Sequence, residues 1–141
     1  MCPAVSLVLD SSVALAWFYA DETTSSIREV FELTKTGGAW VPSLWRLEVG
    51  NVLLMGIRRG RHDLTFVQAA LADLSLFPIS VDPDTESQAW AAALHLAQRH
   101  QLTLYDAAYL ELAQRRGFPL ATLDKDLRSA ATAEKVQLLG I

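Results

Sequence analysis

The chain has 141 residues, 51% of them hydrophobic and 20% charged, and a formal net charge of −4. That apolar share excludes a disordered chain, and the length is that of one domain, residues 1–141. The acidic balance lacks the basic footprint of a simple phosphate-binding module, and the one cysteine, Cys2, excludes an internal disulfide framework.

Residues 5–9, Val-Ser-Leu-Val-Leu, read as a buried strand. Residues 12–19 and 23–35 read as helices, with Ser11 or Ser12 available to cap the first. Thr36-Gly37-Gly38 breaks the pattern, and residues 39–41 form a short strand. Pro42-Ser43 opens a helix that runs to about Arg59 and closes at Gly60. Residues 63–76 form another helix, ended by Pro78, and 79–81 a strand. Asp84 or Thr85 caps a helix that reaches His100. Residues 106–116 form a helix closed by Gly117. A strand over 118–123, a short helix over 124–131 and a strand over 136–139 complete the chain.

Strands separated by helices require parallel crossovers and a sheet covered on both faces. The expected fold class is therefore α/β, a three-layer α/β/α sandwich around a central parallel sheet. Ligands of such sheets bind at the carboxyl ends of the strands. The densest apolar run, residues 13–20, is too short to cross a membrane, and the first residues lack the basic segment of a secretory signal. A cytoplasmic protein without a membrane partner is the expectation.

Most of the 16 acidic residues sit where a solvated acid belongs: Asp21 and Glu22 in a loop, Glu29 and Glu32 on a helix face, Glu134 near the end. Four do not. Asp10 directly follows the first strand, and Asp124 directly follows a later one; each has the alternative of being a turn residue or helix cap. Asp126, two residues on, reads as a solvated first-turn acid. Glu48 shares a helix face with Leu44, Val52 and Met55, with Asn51 one turn away. A carboxylate on an apolar stripe is costly unless paired or metal-bound, and a buried ion pair with an arginine is its alternative. Asp106 lies opposite its helix's polar face of Glu111, Gln114 and Arg115, beside Tyr109, Leu110 and Ala113; an interaction with the helix dipole is its alternative. If the four converge on one rim of the sheet, self-repulsion favours a cation among them. Clustered carboxylates suit Mg²⁺ or Mn²⁺, not zinc.

At these residues the sequence resembles the PIN-domain family and, within it, the VapC-type toxin ribonucleases of type II toxin–antitoxin systems. Four motifs occur in order over nearly the whole chain. They are Val8-Leu9-Asp10-Ser11-Ser12, the stretch Pro42-Ser43-Leu44-Trp45-Arg46-Leu47-Glu48-Val49-Gly50-Asn51-Val52-Leu53, then Leu104-Tyr105-Asp106-Ala107-Ala108-Tyr109-Leu110, and Leu120-Ala121-Thr122-Leu123-Asp124-Lys125-Asp126-Leu127. The resemblance implies an endoribonuclease that uses Mg²⁺ or Mn²⁺ and leaves a 3′-hydroxyl and a 5′-phosphate. It implies that Asp10, Glu48, Asp106 and Asp124 hold the ion or ions and activate water. Ser12 and Thr122 match the family's supporting hydroxyls and would orient Asp10 and Asp124, and Asn51 would hydrogen-bond within the pocket. It further implies a homodimer and a cognate VapB-type antitoxin, which blocks the site and binds operator DNA through its own domain.

Other residues read more plainly. Arg58, Arg59 and Arg61, and likewise Arg115 and Arg116, read as solvated helix ends. His62, His95 and His100 lack metal-site spacing. Trp17, Phe18, Tyr19, Trp40 and Trp45 read as core or interface. The helix from 43 to 59 is apolar nearly all round, with Leu47, Val49, Leu53, Leu54 and Ile57 besides the Glu48 face, which predicts burial against a second subunit or an antitoxin helix. Two functions compete with this reading: a catalytically silent PIN-like module binding protein or RNA, which has no use for a self-repelling acidic pocket, and phosphotransfer through Asp10. The second wants another Asp two residues after Asp10, where the chain has Ser12.

Overall fold

The structure, a computed structural model, describes residues 6–141. Val5 of the expected first strand, and Cys2, lie outside the described residues. Five short strands form one parallel sheet: β1 Leu7–Leu9, β2 Ala39–Val41, β3 Ile79–Val81, β4 Leu120–Ala121 and β5 Leu138–Leu139, in spatial order β3-β2-β1-β4-β5. Leu7 pairs with Ala39, Val8 with Leu120, Ala39 with Ile79, and Leu120 with Leu138. Val8, Leu9, Leu120 and Ala121 have no exposed surface. Such complete burial is why the strands read as unbroken apolar runs.

Among the described residues eight α-helices connect and cover the sheet: α1 Ser11–Ala16, α2 Ser25–Gly37, α3 Trp45–Arg58, α4 Leu64–Leu74, α5 Thr85–Ala89, α6 Ala92–His100, α7 Leu104–Arg116 and α8 Lys125–Ala133. Right-handed crossovers put helices on opposite faces when the chain moves in opposite directions along the sheet. The packing follows that rule: α1 lies against α2 and α3, and α3 against α4, whereas α6 and α8 lie against α7. The chain reverses direction between β1 and β4. A crevice at the carboxyl ends of two such strands is where this class of sheet binds ligands.

Local chemistry explains most helix limits. The side chains of Thr24, Asp63 and Thr103 accept from the amides of Ile27, Phe66 and Asp106, satisfying groups a helix start leaves open. Helix α7 therefore begins at Leu104, two residues before its expected start, because Thr103 is the cap. Gly117, at φ +69°, closes it. The single helix expected between Asp84 and His100 is two, separated at Trp90 and Ala91. No glycine or proline marks that break, which leaves Trp90 87% exposed.

The core draws on both faces. Leu53 of α3, Ile27 of α2, and Tyr109 and Leu112 of α7 are wholly buried. Shortening any of the three aliphatic residues to Ala would cost about 2–5 kcal/mol. Trp17 stacks on Phe77 and meets Phe31 edge-on, and Trp45 is 5% exposed, so those aromatics are core. Helix α3 is not covered all round: Val49 and Leu53 are buried, but Leu47, Val52 and Leu54 are 78%, 44% and 42% exposed.

Candidate active site

Asp10 leaves β1 and occupies the residue before α1, yet its side chain makes no cap hydrogen bond. Its Oδ2 accepts instead from Ser12 Oγ at 2.7 Å and from Thr122 Oγ1 at 2.7 Å, and its Oδ1 from Ser11 Oγ at 3.5 Å. Asp10 is thus the N-cap of α1 through its backbone carbonyl only, and its carboxylate does not cap the helix. Burial raises its carboxyl above the ordinary aspartate value. The Ser12 and Thr122 hydroxyls and the Ser11 amide oppose that, and the charge of Asp124 adds to it.

The two hydroxyls are committed on both sides. Ser12 Oγ accepts from the Leu123 amide at 3.1 Å, and Thr122 Oγ1 from the Asp124 amide at 3.1 Å. A hydroxyl has one proton to donate, and both give it to the same carboxylate oxygen. These bonds tie the end of β1 to the segment after β4, where the sheet reverses direction.

Glu48 sits half-buried in the first turn of α3, and its Oε1 accepts from the phenol of Tyr109 on α7. Among the described residues no arginine pairs with it, so the ion-pair alternative also fails. Burial raises its carboxyl; the Tyr109 bond opposes, and the charges of Asp10 and Asp106 reinforce. Burial, with the charges of Asp10 and Glu48, also holds the Tyr109 phenol far above its ordinary value, so it remains a neutral donor.

Asp106 lies in the first turn of α7, where the helix dipole favours its charge. Its carboxyl is raised nonetheless, by burial first and then by the charges of Asp124 and Asp10, with the Thr103 hydrogen bond opposing. Asp124 is exposed and does cap α8, its Oδ1 accepting from the Leu127 amide at 2.8 Å. For Asp124 the capping alternative is structurally true, yet its charge still reaches Asp10 and Asp106.

The structure therefore couples the four acids electrostatically: the charge of Asp124 acts on Asp10 and Asp106, and those of Asp10 and Asp106 act on Glu48. Among the described residues no three His, Cys, Asp or Glu side chains are gathered into a ready cation cage. Glu48 is turned toward Tyr109 and Asp124 toward its own helix. Asn51 is exposed and makes no side-chain hydrogen bond among the described residues; it borders a groove together with Glu48.

Three contributors escaped the sequence reading. Ser11 reaches Asp10, Tyr109 holds Glu48, and the charge of Asp126, read as merely solvated, reaches Asp106. Tyr109 carried a usable signal, since it lies one turn from Asp106 on the same face. Away from the cleft, Glu111 and Arg115 are not a solvated face, nor Arg115 and Arg116 a solvated helix end. Asp82, 2% exposed, accepts from Arg115 Nη2 at 2.5 Å and Arg116 Nη2 at 3.4 Å, and Glu111, 4% exposed, from Arg115 Nε at 2.8 Å. Glu134 is held by His100, Arg99 and Gln114. Arg61 lies over the Tyr19 ring and bonds Glu22, while the His62, Tyr19 and Phe66 rings pack against one another.

Comparison with known proteins agrees with this architecture. A crystal structure of PAE2754 from Pyrobaculum aerophilum superposes with a TM-score of 0.67 at 26% identity, covering 90% of this chain and 85% of that one. A chain of a toxin–antitoxin complex from Klebsiella pneumoniae gives a TM-score of 0.57 at 17% identity, over 85% of this chain and 88% of its own. The chain is also similar to Ribonuclease VapC3 of Pyrobaculum aerophilum, 28% identical over 123 residues, which are 87% of this chain and 92% of the relative. The family model for the PIN domain matches residues 7–133, from β1 to the end of α8, and the chain belongs to the PIN domain family.

Proposed function

We propose that the protein is a VapC-like, metal-dependent endoribonuclease that cleaves RNA to a 3′-hydroxyl and a 5′-phosphate. The observation that supports it most is the electrostatic coupling of Asp10 with Glu48, Asp106 and Asp124, beside the β1–β4 boundary where the sheet reverses direction. The name of the Pyrobaculum relative, a ribonuclease, points the same way.

The donor set fits a hard divalent cation. It is all carboxylate, without His or Cys, which suits Mg²⁺ or Mn²⁺. Asp10, Glu48 and Asp106 each have a raised carboxyl pKa, so their charges cost free energy that a cation would offset. In this reading the four acids hold the ion. When bound, it polarises the phosphoryl oxygens and lowers the pKa of water. Ser12 and Thr122 fix Asp10 Oδ2, which orients the remaining oxygen, and Tyr109 fixes one oxygen of Glu48. Asn51 contributes a polar group at the edge of the cleft.

We read residues 1–141 as one domain, since the sheet draws strands from both ends of the described chain. No helix among the described residues is long and apolar enough to cross a membrane, and we place the protein in the cytoplasm. A cognate VapB-type antitoxin and a second copy of the chain are the proposed protein partners, with operator DNA reached only through the antitoxin. The exposed Leu47, Val52 and Leu54 of α3 support a protein partner.

The test is cleavage of total cellular RNA by the purified chain with Mg²⁺ or Mn²⁺, with the product ends determined. Cleavage that leaves 5′-phosphates and stops in EDTA agrees with the reading. Stable RNA or protein binding without cleavage would favour a silent binding module instead.

A further inference from the structure

The peptide unit between Thr122 and Leu123 is held at both ends. Its oxygen, on Thr122, accepts from Arg128 Nη1 of α8 at 2.7 Å. Its N–H, on Leu123, donates to Ser12 Oγ at 3.1 Å. Arg128 Nη1 also donates to the Leu139 carbonyl of β5 at 3.0 Å, and the Thr122 amide donates to that same carbonyl at 3.3 Å. Thr122 has no exposed surface, and among the described residues Arg128 is the one donor to its carbonyl. We propose that Arg128 is a positioning residue: it locks the Thr122–Leu123 peptide plane against β5 and so aims both hydroxyls that hold Asp10 Oδ2. The proposal rests on the ribonuclease reading given above.

A peptide unit is planar and rigid, so gripping its oxygen fixes the direction of its N–H. Ser12 Oγ, which that N–H reaches, and Thr122 Oγ1 both donate to Asp10 Oδ2. The first hydroxyl depends on the plane through the N–H, the second because it branches from the residue that carries the carbonyl. Without Arg128 a buried carbonyl would lack a donor, and turning the plane toward another would carry the N–H away from Ser12. The contacts of Arg128 are those of a clamp and not of a surface ion pair. Arg61, Arg99, Arg115 and Arg116 each pair with a carboxylate. Arg128 has no such partner among the described residues and gives one nitrogen to two backbone oxygens. A guanidinium keeps its N–H groups in a fixed plane, whereas a lysine ammonium is a flexible point charge. The helix that carries the clamp is also the one that Asp124 caps, one turn before Arg128.

The experiment compares wild type, Arg128→Met and Arg128→Lys, with Arg28→Met, which removes an exposed cation on α2, as the surface control. Melting curves check that every variant is folded. The readouts are steady-state cleavage of a defined single-stranded RNA with Mg²⁺, Mn²⁺ binding by calorimetry, and hydrogen exchange of the Leu123 amide in the ion-free protein. Arg128→Met is expected to lower kcat about tenfold or more with little change in KM, and to weaken Mn²⁺ binding about tenfold or more. It should also speed exchange at Leu123 while Val8 in β1 keeps its protection. Arg128→Lys, which keeps the charge without the planar fork, should recover only a minor part of the loss. Where both hydroxyls are already absent, in Ser12→Ala with Thr122→Val, Arg128→Met should cost little more. Unchanged kcat and Mn²⁺ affinity in Arg128→Met overturn the proposal. So does full recovery with Arg128→Lys, a fully additive loss without the hydroxyls, or a loss confined to KM, which would make Arg128 an RNA phosphate contact. Failure of the clamp leaves wild-type cleavage intact, whereas wild type that cleaves no RNA overturns the ribonuclease reading and the clamp's role with it.

Discussion

Thr122 and Asp10 stand 112 residues apart in the chain and meet through a 2.7 Å hydrogen bond across the boundary between β4 and β1. Ser12 donates to the same oxygen from the other side. One carboxylate is thereby fixed at the one place where the sheet reverses its winding.

That arrangement makes the two hydroxyls positioning groups. Thr122→Val should lower kcat about 10–100-fold while leaving the melting temperature within a few degrees. Thr122→Ser, which restores the donor, should recover most of the loss. Steady-state cleavage of a defined RNA measures both, and a Thr122→Val enzyme of full activity would remove the hydroxyl from the account.

The raised carboxyls predict a dependence of stability on pH and on cations. A carboxyl whose folded pKa lies above its unfolded value binds protons more readily in the folded state. The ion-free protein therefore loses stability as pH rises from the unfolded values, near 4, through the raised values of Asp10, Glu48 and Asp106. Divalent ions should return it. At a free Mg²⁺ concentration of about 100 times Kd the gain is about 2.7 kcal/mol. Thermal melts at pH 7, with and without Mg²⁺, measure this, and Asp10→Asn should shrink the increment. No increment in wild type, with none in calorimetry, would contradict a cation at these acids.

Glu134 behaves in the opposite sense. The hydrogen bonds from His100, Arg99 and Gln114 lower its carboxyl to about 2 from a reference of 4.5. Its contribution to stability is complete above the unfolded value and disappears as pH falls toward 2. Urea unfolding of wild type and Glu134→Gln should show a clear difference at pH 7 that narrows as pH falls below about 4. A difference that stays constant with pH would contradict the ion-paired state.

The buried network around Asp82 predicts a stability effect far from the cleft. Burial alone would raise the Asp82 carboxyl, but the Arg115 guanidinium and the Asp84 amide bring it below the ordinary value. Arg115→Met leaves Asp82 and Glu111 buried with Arg116 as the remaining cation for Asp82. The expected cost is about 3–5 kcal/mol, read from the urea midpoint. A loss below about 1 kcal/mol, the scale of exposed pairs, would mean that these acids are solvated.

What the sequence made legible follows from local physics. Strands β2 and β3 fall where the apolar runs end at turn residues, and α3 begins just after Pro42-Ser43. The unusual positions of Asp10, Glu48 and Asp106 were visible because an acid after a buried strand, or on an apolar helix stripe, conflicts with its surroundings. Their convergence depended on topology, which alternating strands and helices specify well. The Asp82–Arg115 contact was not legible, because 33 residues separate the pair and each alone looks like a surface charge. The role of Tyr109 was hidden for a similar reason: its partner Glu48 lies 61 residues away on another helix. What covers the stripe on α3 was not legible, because periodicity tells which residues share a face and not what packs on it; in the single chain Leu47, Val52 and Leu54 are exposed.

The most direct measurement is RNA cleavage with Mg²⁺ by wild type and by Asp10→Asn, Glu48→Gln, Asp106→Asn and Asp124→Asn, each shown to be folded. The account predicts cleavage by wild type that EDTA abolishes, with Asp10→Asn, Glu48→Gln and Asp106→Asn each falling by about 100-fold or more. Asp124→Asn should also fall, although its amide can still cap α8. Wild-type levels of cleavage in Asp10→Asn would contradict the claim that these carboxylates form one metal-dependent nuclease centre.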